Sequence, residues 1–170
     1  YRVRPWLVLA GWAGLRAKEI AYLQRENVLD TAPMPHILIV STATKGRDER
    51  CVPLNEYVIE ALYEHGLPNT GYCFRRRDGQ IGPNFPWTVS EVANTHLRAC
   101  GIPATLHQLR HRALTQLYAE TLDILLVQKI AGHHDPATTA GYAAISDTKA
   151  AEAMSRLRTP PRMRAVASAQ

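Results

Sequence analysis

The segment HQLRH (107–111) puts His107 and Arg110 three residues apart, on one face of any helix that contains them. Thr105, with Gln108 three residues later, forms a capping box, so a helix is expected to start at Leu106 with this pair in its first turns. Unsatisfied N–H groups and the helix dipole favour an anion at such a start. A histidine and an arginine presented there together suit a phosphate. Two other readings of the segment stay open. His107 and His111 have the i, i+4 spacing of zinc-protease ligands, but Gln108 stands where those enzymes carry glutamate, and a third ligand is unassigned. A solvated polar face is the plainest alternative.

Other residues could add to this chemistry. AGHHDPATTAGY (131–142) holds His133, His134 and, nine residues after the first histidine, Tyr142. It reads as a metal site, a packed corner between helices, or a nucleophile with its helper. Arg16 follows Gly14-Leu15 at a helix start and could simply pair with Glu19. Lys45, followed by Gly46 and Arg47, falls at a hairpin tip, as a solubilising lysine or as a finger reaching a ligand. Arg75, Arg76 and Arg77 form a basic loop that in a DNA-binding protein would touch backbone phosphates.

The elements that must position these residues follow from the apolar pattern. PWLVLAGWAGL (5–15) predicts a buried helix ending near Gly14, and an amphipathic helix follows from Arg16 to Gln24. Asn27-Val-Leu-Asp starts an extended segment, and HILIVST (36–42) and RCVPLN (50–55) read as strands flanking the polar turn 44–49. Helices are expected over 55–66, 88–101, 106–120 and 122–132, three of them closed by glycine. Residues 67–86 read as a Gly-, Pro- and Arg-rich loop. Asp135-Pro136 looks like the cap and first residue of a helix carrying Thr139 and Tyr142, and a last helix is expected over 148–157. The fold class is α+β, mostly α-helical, with a small antiparallel three-stranded sheet.

Composition sets the frame. With 170 residues, 46% hydrophobic and 21% charged, the chain fits one globular domain with a real core. No apolar run is long enough to span a membrane, no secretory signal opens the chain, and nothing resembles a Gly-rich nucleotide loop. Cys51, Cys73 and Cys100 are scattered, which suits a reducing cytoplasm. The formal charge is +5, and sixteen of the twenty basic residues are arginine, whose rigid fork matches a phosphate.

Five motifs in order now match a family. The chain resembles the catalytic domain of the tyrosine recombinases, or phage integrases, from residue 5 to about 157. AGLRAKEI carries Arg16, TKGRDERCVPL carries Lys45, HQLRH carries His107 and Arg110, AGHH carries His133 and TTAGY carries Tyr142. Ala131 and Ala13 depart from the family's usual residues without touching the chemistry, and His134 has no family role.

The resemblance implies cleavage and rejoining of double-stranded DNA at attachment sites, with no metal and no cofactor. It implies Tyr142 as nucleophile, Arg16, Arg110 and His133 on the phosphate, His107 as proton acceptor or relay, and Lys45 as general acid. It also implies a tetramer on DNA, a monomer or weak association without it, and action in the cytoplasm of a bacterial host. Residues 1–158 would be the catalytic domain, and 159–170 a tail that is mobile or packs on a neighbouring protomer. The chain opens almost at the first catalytic helix. It is therefore expected to be part of a longer integrase, binding DNA weakly and salt-sensitively by itself. The alternatives are a type IB topoisomerase, a catalytically silent DNA-binding module and a metal hydrolase built on the histidines.

Overall fold

The computed structural model describes residues 3–40, 49–76, 83–132 and 154–156. Among these residues, six helices and three strands follow in the order α1 (Arg4–Ala13), α2 (Ala17–Ala21), β1 (Val28–Leu29), β2 (His36–Val40), β3 (Glu49–Pro53), α3 (Glu56–His65), α4 (Pro86–Ala99), α5 (Leu106–Thr121) and α6 (Ile124–Ala131). Helices dominate, and the sheet is the expected antiparallel one, in the order β1-β2-β3.

α1 is buried nearly all round, with Trp6, Val8, Leu9, Ala10 and Ala13 at 2% exposure or less. Such a helix belongs at the centre, and it packs against α5 and α3. It stops at Gly14, whose φ of 66° is left-handed. That stop sends the chain straight into Leu15 and Arg16. α2 is shorter than the expected 16–24 segment: it ends at Ala21, and a 3-10 turn over Arg25–Asn27 follows. The physical reason is that Gln24 pairs with Tyr72 in an isolated β-bridge, which takes its backbone out of the helix.

The sheet covers the core with one face. Val28, Ile37 and Val52 form a single row across the three strands, and all are buried. The next register pair on β2 and β3 is Ile39 with Arg50 two residues along from Ile37 and Val52, so Arg50 shares the inward face. An arginine there must find partners.

Helix caps agree with the sequence signals. Asn55 accepts from the Val58 amide to start α3, Thr105 and Gln108 form the capping box of α5, and Asp123 accepts from Leu125 and Leu126 to start α6. α4 begins at Pro86, two residues before the expected start, because proline suits the first turn. The described residues of 67–85 form the expected loop, and part of it is buried. Cys73 and Phe74 are buried, and Phe74 meets Trp6 edge-on at 6.1 Å. Met154 also lies in the core, its carbonyl accepting from Asn55 Nδ2 at 3.4 Å. The expected helix of Asp135-Pro136, and all but 154–156 of the expected last helix, fall outside the described residues, as does the tail 159–170.

Candidate active site

Arg16, His107 and Arg110 line one cleft of about 430 Å³, together with Lys18, Trp87 and His111. α2 supplies the first arginine and the start of α5 supplies the His–Arg pair, as the sequence placed them. Lys45, Arg47, Arg77, His133 and Tyr142 lie outside the described residues. The lining includes no tyrosine and no cysteine among the described residues.

Beneath the cleft sits a carboxylate shared by three arginines. Glu19 Oε1 accepts from Arg16 at 2.9 Å and from Arg50 at 2.7 Å, and Arg110 approaches Oε2 at 3.8 Å. Glu19 also accepts from the Arg16 backbone N–H at 2.7 Å, so it caps its own helix. The side chains grade outward: Arg110 is 4% exposed, Glu19 12%, Arg50 13% and Arg16 37%. Arg16 is thus the arm that reaches solvent. Its pairing with Glu19, the plain reading of this arginine, holds; so does its place in the cleft.

The same three guanidinium groups close the end of α6. Arg50 Nε donates to the Ile130 carbonyl at 2.9 Å, Arg110 to Ala131 at 2.8 Å and Arg16 to Gly132 at 3.0 Å. Arg110 also donates to the Gly14 carbonyl. Carbonyls at a helix C-terminus have no partner within the helix and carry the negative end of its dipole. Three successive orphan acceptors therefore fix three cations, immediately before His133 in the chain.

The electrostatics point to an anion. Three guanidinium groups surround one carboxylate, leaving an excess of positive charge in a partly buried place. Burial, followed by the like charge of Arg16, pulls Arg110 down to about 10, only partly countered by Glu19. It remains a cation at neutral pH, under pressure that a phosphate would relieve. Burial pushes the Glu19 carboxyl up, but Arg50 beside it and the hydrogen bonds from Arg16 and Arg50 more than offset this and leave it below its ordinary value.

His107 is exposed, and its Nε2 lies 2.9 Å from His111 Nε2 with the rings at 90°. One proton fits between the two nitrogens. No group of three or more His, Cys, Asp or Glu gathers for a metal among the described residues. Of the basic loop, Arg75 is exposed and Arg76 stacks on Phe85 at 4.4 Å, which in turn stacks on the cleft residue Trp87.

Two residues of the cluster were not read as functional from sequence. Glu19 appeared only as a possible partner for Arg16, and Arg50 not at all. The strand alternation in RCVPL, which puts Arg50 and Val52 on one face, was the available signal for the second.

Gly132 closes α6 with a left-handed φ of 62°, and a Cβ there would stand 2.7 Å from Arg50 Nη1. Gly132→Ala is expected to cost about 2 kcal/mol from the backbone alone, lowering Tm by roughly 4–8 °C. Thermal melts check this; an unchanged Tm would mean the turn and Arg50 adapt freely.

The profile of the phage integrase family matches residues 2–149. The chain belongs to the phage integrase family. Within that family it is 30% identical over 153 residues to the tyrosine recombinase XerA of Thermococcus kodakarensis, covering 85% of this chain and 51% of the relative. It is 32% identical over 151 residues to the tyrosine recombinase XerC of Methylobacterium nodulans, covering 84% and 45%. Among solved structures, the integrase of mycobacterium phage Brujita superposes with a TM-score of 0.73 at 26% identity, over 92% of this chain and 52% of that one. The chain spans about half the length of the integrase-family relatives it matches. No helix among the described residues is long and apolar enough to cross a membrane.

Proposed function

We propose that residues 1–158 are the catalytic domain of a site-specific DNA recombinase that cuts and rejoins strands through a 3′-phosphotyrosyl link. The observation that carries this is the Arg16–Arg110 pair, held by Glu19 and the end of α6, in the cleft that His107 lines.

Attack on a phosphodiester builds negative charge on its non-bridging oxygens, and fixed guanidinium donors stabilise that charge as it grows. Tyr142 supplies the attacking oxygen. A free tyrosine has a pKa of about 10, so its proton must be taken as the O–P bond forms; His107 accepts it. The bond from phosphorus to the 5′ oxygen breaks, and Lys45 donates a proton to that oxygen. His133 adds a donor to the phosphate. The phosphotyrosine keeps the energy of the broken bond. A 5′-hydroxyl from another duplex then attacks it and frees Tyr142. No ATP and no metal enter this balance.

Arg47, Arg75, Arg76 and Arg77 are assigned to backbone phosphates beside the cleft. The assembly assigned to the reaction is a tetramer on two attachment sites, in the cytoplasm of a bacterial host, with residues 159–170 as a tail free or packed on a neighbour. Integration or excision of phage or mobile-element DNA is the role this supports.

A randomised pool of nicked duplexes tests the reading, because the short cleaved fragment diffuses away and traps the adduct. A covalent protein–DNA product that survives a chelator is expected; a chelator-sensitive free nick would overturn it. Lys45→Ala should slow adduct formation by about a hundredfold on an ordinary phosphodiester. A bridging 5′-thiolate, which leaves without a proton, should restore most of that rate. No restoration would remove Lys45 as the acid.

A further inference from the structure

Of the three arginines around Glu19, Arg50 alone does not line the cleft. It stands in the middle of β3, opposite Ile39, on the face that carries the buried Val52. A guanidinium on the inner face of a sheet is costly unless it is paired on every side. Arg50 finds its partners on two other elements, α2 and α6. Nη2 holds Glu19 of α2 at 2.7 Å, and Nε holds the last turn of α6 at Ile130 with a 2.9 Å bond. Nη1 lies over Gly132, where even a methyl group would come within 2.7 Å.

Both bonds lead to the cleft arginines. The Glu19 oxygen that Arg50 grips is the one that Arg16 leans on. The carbonyl it grips is the first of three in succession, and the next two hold Arg110 and Arg16. A planar fork can make two such bonds at a fixed angle to each other, whereas a lysine ammonium is a point charge on a flexible stem.

We infer that Arg50 is a positioning residue for the phosphate clamp: it touches no DNA, bridges Glu19 to the Ile130 carbonyl, and so fixes Arg16 and Arg110 relative to each other. The inference rests on the function proposed above. It makes Arg50 matter in proportion to the charge that the clamp must hold. Replacing one non-bridging oxygen of the attacked phosphate by methyl removes that charge and with it the demand on the clamp.

The test uses the unaltered chain, Arg50→Lys and Arg50→Met, and the nicked pool made with either a phosphodiester or a methylphosphonate at the break. Thermal melts set an assay temperature at which both variants are folded, and Arg50→Lys, which retains the charge, spares the fold most. On the phosphodiester both variants should form adduct roughly thirtyfold more slowly, the loss expected for one charged hydrogen bond, with duplex affinity changed by less than about twofold. On the methylphosphonate the deficit should shrink to about threefold or less. Equal deficits on the two substrates would overturn the inference, as would a full rate in Arg50→Lys or an affinity loss matching the rate loss. No adduct from the unaltered chain on either substrate would overturn the proposed function and this inference with it. Adduct from the unaltered chain at the same rate as Arg50→Met would overturn the inference alone.

Discussion

Tyr142→Phe is expected to form no covalent adduct with nicked duplex DNA while binding that DNA as the unaltered chain does. The substitution removes one oxygen and no charge at neutral pH, where a phenol with a pKa of about 10 is protonated. Affinity for the duplex comes from cations meeting phosphates, and it should stay within about twofold. Cleavage needs the missing atom. The described lining of the cleft carries no tyrosine and no cysteine, and its Ser90 and His107 are the other side chains that an adduct from this variant would implicate. Gel separation under denaturing conditions reads the adduct, and a filter or anisotropy titration reads the binding. An adduct from the phenylalanine variant would mean that another side chain attacks.

The second large effect is expected at Glu19. Removing it takes from three guanidinium groups, one of them almost wholly buried, the carboxylate that they share. Breaking a buried ion pair from one side typically costs about 3–5 kcal/mol, because the remaining charge stays behind unpaired. Glu19→Ala should therefore lower Tm by on the order of 10 °C and slow adduct formation by at least about a hundredfold, since Arg16 loses the oxygen that aims it. The pH dependence has a definite sign. Glu19 is held below its ordinary value of 4.5 in the folded chain. Its contribution to stability is therefore complete above that value and disappears as pH falls through the lower, folded one. Denaturant titrations between about pH 6 and pH 3 should show the unaltered chain losing stability more steeply than Glu19→Gln, whose amide does not titrate there. Parallel curves would show that the carboxylate is not the stabilising group.

Much of this arrangement was legible in the sequence for local reasons. Gly14 and Gly132 mark helix ends because a left-handed residue is needed there, and Thr105 with Gln108 announces α5 through a bond pattern confined to four residues. The row Val28–Ile37–Val52 follows from strand alternation. What stayed hidden depends on contacts across the chain. α2 stops early because Leu23 and Arg25, on either side of Gln24, bond the backbone of Cys73 and Gly71, far along the sequence. Phe74 and Cys73 are core residues inside a loop whose glycines, prolines and arginines give no sign of burial. The Glu19 cluster joins residues from α2, β3, α5 and α6, and no short motif contains them. Arg16 illustrates both sides. The sequence allowed it to be a partner of Glu19 or a ligand of phosphate; the folded chain uses the first bond to aim the side chain at the cleft.

In the proposed reaction, DNA becomes joined to one tyrosine of this chain. Adduct captured from the unaltered protein on the nicked pool, in the presence of chelator, can be digested with protease and nuclease and the modified peptide sequenced by mass spectrometry. A single nucleotide-bearing peptide is expected, with the phosphate on the oxygen of Tyr142 and the nucleotide attached through its 3′ oxygen. A phosphate on any other residue, a 5′ linkage, or cleaved DNA with no modified peptide would contradict it.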